Sequence, residues 1–333
     1  MEIDKILLGG RIFYFDLIKC IGILLVIFYH VQQYGFDIWD SVAVDVIYTF
    51  NMPLFFFVSG YLAFKSRKNI GYYFSNSWKK ASLLLIPSLV FSLFWALVRK
   101  EEVDLSSGFG IYWFGVALFE CFVTYYIISI LTKSDKQQLG IMFLLSIVGV
   151  GYLSTGVGDK YLAVIELNHV AKYFHFFTLG MFAKYFSFFY VKILNSDILR
   201  TCGIGLFFVL FFLLRHEGLF PIIIERFSNE FILRYLGLFV TLMLLYDVSE
   251  KVKQHGIMAR IVRVVAENSF GIYLLQYFFL PDFRKQEWVT NIDAFSMFII
   301  CVFYTIICVI VCLGVIGLLS RSSLYNRYVL GKR

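Results

Sequence analysis

Charge is scarce in this sequence: Asp, Glu, Lys and Arg make up 16% of its 333 residues. A soluble domain carries about 25%, so a globule with an ordinary water-facing surface is excluded. Proline is scarcer, at four residues, and no low-complexity linker divides the chain. The six cysteines (Cys20, Cys121, Cys202, Cys301, Cys308 and Cys312) form no CxxC pair and sit in or beside apolar runs. That pattern predicts small membrane-embedded side chains, and neither a disulfide framework nor a metal site. The N-terminal "MEIDKILLGGRIFYFD" has acidic residues, no clean apolar run and no small-residue cleavage site. It does not read as a cleavable signal peptide, so the first span is expected to stay attached. The net charge of +7 is spread over many loops, with no basic stripe carrying interleaved aromatics. Nucleic-acid binding is therefore not expected.

What the chain has in excess is apolar surface. Hydrophobic residues reach 60% and aromatics 20%, with 39 Phe and 22 Tyr, at a mean hydropathy of +0.77. A membrane-crossing helix needs roughly 20 mostly apolar residues. Ten such segments are expected, at about 14–33, 42–64, 80–98, 109–131, 139–155, 172–190, 199–215, 231–247, 262–280 and 295–319. Short polar loops separate them, and internal repeats are not evident. The expectation is an all-α, polytopic bundle in the lipid bilayer, forming one membrane domain over 1–333 with no soluble module. Cytoplasmic loops collect Lys and Arg. With the N-terminus inside, 20 of the 30 basic residues fall on the cytoplasmic side, 9 fall opposite, and Lys19 lies within the first span. Both termini are thus expected in the cytoplasm.

The first span, "FDLIKCIGILLVIFYH" (15–30), is apolar except for Asp16, Lys19 and His30. At about 100° and 1.5 Å per residue, Lys19 and His30 face the same way within about 20° and lie about 16 Å apart. Asp16, three residues before Lys19, shares that broad face. Charge at membrane depth is costly unless paired or wet, so the stripe is expected to face the bundle interior. A plain reading is an inward Asp–Lys pair with a hydrogen-bonded histidine. The functional reading is a stripe ending in a proton acceptor, because imidazole titrates near neutral pH.

These residues carry a resemblance. "DLIKCIGILLVIFYH", with its acidic residue, basic residue, ten intervening positions and histidine, resembles the first-helix signature of the membrane acyltransferase-3 family. Four further segments resemble that family in order: "FNMPLFFFVSGYL" (50–62), "YWFGVALFE" (112–120), "YFHFFTLGMFAKYF" (173–186) and "NSFGIYLLQ" (268–276). Two departures stand out. The last motif commonly ends in His, where this chain has Gln276. An Arg-x-x-Arg pattern before the third span is replaced by "WKKASLLLIP".

The resemblance implies transfer of an acyl group, usually acetyl from acetyl-CoA, to a hydroxyl of a cell-envelope sugar or polysaccharide in a bacterial plasma membrane. His30 would act as general base or take the acyl group first and relay it, with Asp16 and Lys19 as its catalytic companions. Binding of the CoA phosphates would fall to Arg67, Lys68, Lys79 and Lys80 in the basic loop 65–80, which also reads as an ordinary positive-inside loop. Ser59, Trp113, Glu120, Tyr273 and Gln276 are the candidates for substrate contact. For Ser59-Gly60 close helix packing competes with that role, and for Trp113 and Tyr273 interfacial anchoring does. Glu120 is the costliest of these to bury. No metal is expected, since His169, His175, His216 and His255 have no ligand spacing. Polysaccharide synthesis or export machinery would be a partner. Two other classes fit a polar-lined bundle. One is an exporter of a glycan or lipid-linked sugar, although the four prolines are not symmetrically placed as inverted repeats would have them. The other is a scaffold for a polysaccharide synthase, in which His30 would be dispensable.

Overall fold

The computed structural model describes residues 12–39, 41–65, 69–99, 109–155, 165–215, 231–252, 256–286, 288–289 and 292–321, and every regular element among them is helical. In chain order the helices are α1 (Phe13–His30), α2 (Val42–Ala63), α3 (Ile70–Lys80), α4 (Ile86–Arg99), α5 (Trp113–Leu131), α6 (Asp135–Thr155), α7 (Leu167–Tyr185), α8 (Ser187–Leu194), α9 (Asp197–Arg215), α10 (Leu233–Lys251), α11 (Ile257–Leu275) and α12 (Ala294–Leu319). Helical backbone is what lipid requires, because each segment satisfies its own N–H and C=O groups.

Seven helical paths are long and apolar enough to cross a membrane: Phe13–Gly35, Val42–Ala63, Ile70–Arg99, Gly110–Leu131, Asp135–Leu153, Asp197–Leu214 and Ala294–Leu319. The expected span at 172–190 is not one rod. α7 ends at Tyr185, Phe186 leaves helical geometry (φ −99°, ψ 40°), and α8 departs at 100°. The turn comes where Lys184 sits in the last turn of α7, a position favoured by the helix dipole. The bent pair makes an eighth crossing if it counts as one span. α10 and α11 are helical where spans were expected but fall outside those seven; α10 carries Arg234, Asp247, Glu250 and Lys251, and α11 carries Arg260, Arg263 and Glu267. The chain's two ends, expected in the cytoplasm, lie outside the described residues.

A second correction concerns the basic loop at 65–80. From Ile70 onward it is helix α3, and a π-helical turn (Ala81–Leu85) carries it into α4. The reason is local: the Asn69 side chain accepts the Tyr72 N–H at 2.8 Å and caps the helix. Lys79 and Lys80 therefore stand in the last turn of a helix.

By packing, the chain divides into two compact units, Met1–Phe55 with Phe188–Gly314, and Phe56–Ser187 with Val315–Arg333. In the first, α1 runs along α11 and also meets α10, while α9 packs on α10 around Phe207, Phe211, Leu214, Leu233 and Val240. Near the start of α1, the Tyr14 hydroxyl donates to the Leu242 carbonyl at 3.0 Å. α1 and α2 are antiparallel in a fixed register. Tyr29 stacks on Tyr48 (6.5 Å, 23°), and two turns along each helix a Cβ at Gly22 would lie 2.9 Å from the Phe55 ring.

In the second unit, α7 packs against α6 and α5, and α5 meets α3. Here α2 and α7 cross with their backbones touching. A Cβ at Gly60 would overlap the Phe177 carbonyl, and one at Gly180 would overlap the Phe57 carbonyl. Two Phe-x-x-Gly steps face each other head to tail, an arrangement in which small residues allow close helix approach. The Ser59-Gly60 pair thus serves packing through its glycine. Overpacking at such a contact costs about 1–3 kcal/mol or more. Gly60→Val and Gly180→Val are each expected to lower the melting temperature in detergent clearly. Gly140→Val, at a glycine with nothing within 4 Å of its Cβ position, is expected to leave it within error. Equal melting of all three would contradict the crossing.

Candidate functional site

His30 is the last residue of α1, and the backbone widens immediately after it into a π-helical turn, Val31–Gly35. Such turns concentrate at functional sites. This one is pinned from outside: Phe283 N–H donates to the Gly35 carbonyl at 2.8 Å. The loop that brings Phe283 there is stiffened by Arg284, whose Nε and Nη2 donate to Asp282 at 2.8 and 2.7 Å. Those bonds hold the exposed Asp282 carboxyl down at about 2, so the clasp is kept throughout the neutral range.

Because α11 packs along α1, its end reaches His30. α11 tightens there into a 3-10 turn, Gln276–Phe278. His30 Nδ1 lies 3.2 Å from Gln276 Oε1, and the Tyr277 hydroxyl lies 3.3 Å from His30 Nε2. Gln276 is completely buried. Its side-chain amide nitrogen donates to the Tyr273 carbonyl at 3.2 Å, and its backbone carbonyl accepts from Cys308 Sγ at 3.9 Å. Aromatic rings enclose the imidazole: Tyr277 (4.9 Å), Tyr29 (5.5 Å) and Tyr34 (5.7 Å). Tyr34 also meets Trp39 edge-on at 6.0 Å. Trp39 is 56% exposed and its indole N–H donates to Asp37 at 2.8 Å. Asp37 itself has φ +59°, a conformation uncommon outside glycine. A hydrogen-bonded histidine thus sits at one end of a row of contacting aromatic rings whose other end is an exposed tryptophan.

Of the residues expected at the site, the structure joins His30 and Gln276 directly, and Tyr273 through its carbonyl. The Tyr273 ring instead stacks on Phe270 (5.9 Å, 25°). Asp16 is buried and Lys19 half-buried on the same helix, about four and three turns below His30, so neither reaches the imidazole. Ser59, Lys79, Lys80, Trp113 and Glu120 belong to the second unit. There Lys80 stands 3.7 Å over the Phe122 ring, whereas Lys79 is exposed. Trp113 is stacked against His169 (4.0 Å, 15°) and Tyr173 (5.5 Å, 18°), and Tyr173 in turn on Phe56 (5.0 Å, 14°). His169 is fixed by Glu166 at 2.7 Å, and Glu166 also accepts the Phe109 N–H. Glu120 is half-buried on α5. Arg67 and Lys68 lie outside the described residues.

Two residues at the site were missed from the sequence. Tyr277 follows the recognised "NSFGIYLLQ" run, and nothing in its spacing marks it. Arg234, within the expected span 231–247, is 1% exposed, with its guanidinium 4.6 Å over the Tyr48 ring that stacks on Tyr29. An arginine in an apolar helix was itself the signal, since buried cations in a bundle are rare and costly. The π-stacked position of Trp113 predicts a supporting role for its ring. Trp113→Ala is expected to lower the melting temperature, and Trp113→Phe, which keeps a ring in the stack, to recover most of the loss. A Trp113→Ala protein as stable as wild type would contradict this.

Residues 12–316 match the acyltransferase domain family. The nodulation protein NolL of Mesorhizobium japonicum is 33% identical over 147 residues, 38% of this chain and 38% of that protein. The match therefore spans well under half of that relative's length. No solved structure matches the chain. The family match begins at the first described residue and runs through α1, α11 and most of α12, so it takes in every residue placed around His30: the chain belongs to the acyltransferase-3 family and is a multi-helix membrane protein with an acyltransferase domain.

Proposed function

We propose that this acyltransferase moves an acetyl group from acetyl-CoA to a sugar hydroxyl of a cell-envelope or extracellular polysaccharide, or of its precursor, with His30 at the chemistry. The observation that carries the reading is His30 itself. It is an imidazole at the end of an apolar helix, hydrogen-bonded to neutral side chains, half-buried, and joined through the Tyr34 ring to the exposed Trp39. A sugar hydroxyl is a weak nucleophile, and a positioned imidazole that takes its proton makes it competent. As the hydroxyl oxygen bonds to the thioester carbonyl carbon, the carbon–sulfur bond breaks. The departing thiolate recovers the proton from the imidazolium. In the relay form, a ring nitrogen attacks first and passes the acetyl group on.

An acceptor ring has a natural approach. Aromatic faces suit the apolar face of a pyranose, and Trp39 is the exposed tryptophan in the row of rings that ends at His30, whereas Trp113 is stacked on protein rings. CoA phosphates require cations. Lys79 at the end of α3 is exposed for that role, and Arg67 and Lys68 precede it in sequence. Asp16 and Lys19 would line the donor end of α1. In this reading the chain sits in a bacterial plasma membrane with both ends in the cytoplasm, where the donor is, and works alongside polysaccharide synthesis or export machinery.

The test is acetyl transfer from radiolabelled acetyl-CoA to the host's envelope glycans, in membranes holding matched amounts of wild type, His30→Ala or Trp39→Ala. Label with wild type and a loss to background with His30→Ala is expected. Trp39→Ala is expected to raise the acceptor KM severalfold while sparing the KM for acetyl-CoA. Equal label with wild type and His30→Ala would remove His30 from the chemistry. No label with wild type, alongside glycan efflux that depends on the protein, would replace the transferase by an exporter.

A further inference from the structure

The two nitrogens of His30 do not have equivalent partners, and the difference assigns the proton. Gln276 is the key. Its amide NH2 donates to the Tyr273 carbonyl; turned over, the side chain would set its own oxygen against that carbonyl. Its oxygen therefore faces His30 Nδ1 at 3.2 Å. An amide oxygen can only accept, so Nδ1 must carry the hydrogen. In a neutral imidazole, Nε2 is then the nitrogen with the free lone pair. The group found against Nε2 is a hydroxyl, that of Tyr277, at 3.3 Å.

We propose that Gln276 is a positioning residue that holds His30 in its Nδ1–H tautomer, so that Nε2 is the reacting nitrogen, and that the Tyr277 hydroxyl occupies at rest the place the acceptor hydroxyl takes during transfer. This deepens the reading of His30 given above and rests on it for the word "reacting"; the tautomer itself does not. Gln276 is suited to the task because it is rigid. It is fully buried, tied to Tyr273, and set in the 3-10 turn that ends α11. It orients the ring as the buried carboxylate orients the histidine of a serine-protease triad, with one difference: an amide brings no charge. A bilayer-embedded site can hold a neutral orienting group without the cost of burying an ion. Tyr277 stands where an incoming O–H must stand to give up its proton, and like that O–H it donates to Nε2. When the acceptor arrives, Tyr277 is displaced from the nitrogen.

The experiment is nitrogen-15 NMR of the protein labelled at its five histidines, with the His30 signals identified by their absence in His30→Gln. Wild type is expected to show a protonated Nδ1 and an unprotonated Nε2. Gln276→Leu is expected to lose that preference and to lower kcat by about 10²-fold or more, with KM values little changed. A wrong tautomer in a serine-protease triad costs about 10⁴. Gln276→Glu keeps an acceptor oxygen at the same distance and is expected to restore the Nδ1–H signature and to recover much of the activity lost in Gln276→Leu, which separates positioning from a folding defect. Tyr277→Phe is expected to keep the signature, because the tautomer is set from the opposite side. An Nε2–H tautomer in wild type, or an unchanged tautomer in Gln276→Leu, overturns the proposal. An Nδ1–H signature that responds to Gln276→Leu in a protein without transferase activity would support the tautomer assignment and overturn the proposed reaction.

Discussion

Inside a bilayer, a polar group that finds no partner in the protein finds none at all. That constraint organises the first unit of this molecule. α1 carries Asp16, Lys19 and His30 in an otherwise apolar helix, and the turn after it adds the buried Gln32 and Gln33. Gln33 is matched by Tyr29, Gln32 by Ser41, and His30 by Gln276 and Tyr277. The Gln33–Tyr29 match lies within one helical run, but the other two need a second element at a fixed depth, so satisfying them sets the depth of the end of α11 and of the loop leading into α2. The alignment of α11 along α1 is thus as much a polar requirement as a packing one.

Van der Waals contact does the remaining work, and small residues decide where. Between two lipid-soluble helices no hydrophobic drive operates, so close approach is the available gain. Gly60 and Gly180 bring α2 and α7 to backbone contact, and Gly22 admits the Phe55 ring between α1 and α2. The latter contact, with the Tyr29–Tyr48 stack above it, fixes the α1–α2 register. His30 therefore lies beside a defined wall of rings. The aromatic surplus of the sequence has two uses. Some rings, such as Phe188 and Phe189, are exposed for lipid. Others, such as Trp113 with its neighbours His169 and Tyr173, are internal struts.

The site depends on these supports. A π turn begins at the residue after His30, the Gly35 carbonyl is clasped by Phe283, and the Asp282–Arg284 pair stiffens that loop. The imidazole is consequently held by both nitrogens at a helix end, with Tyr34 against its ring and the exposed Trp39 against Tyr34.

Much of this was legible in the chain itself. Apolar runs of about 20 residues determine helices because lipid permits little else, and seven of the ten expected runs correspond to helical paths long and apolar enough to cross among the described residues. The eleven-residue spacing from Lys19 to His30 determined a polar stripe, because helical geometry alone sets that phase. The order of motifs determined the family. Tertiary structure alone decided what local pattern cannot encode. The 100° break after Tyr185 has no proline or glycine to announce it. The helix in the basic 70–80 stretch rests on a single Asn69 cap. Arg234 reads as one basic residue in an expected span until folding buries it against the Tyr48 ring. Gln276 reads as a motif's missing histidine until α11 delivers it, with Tyr277, to a ring 246 residues away. Periodicity reports on neighbours within a helix, and the hydrogen-bond partners of His30 are neighbours that only folding supplies.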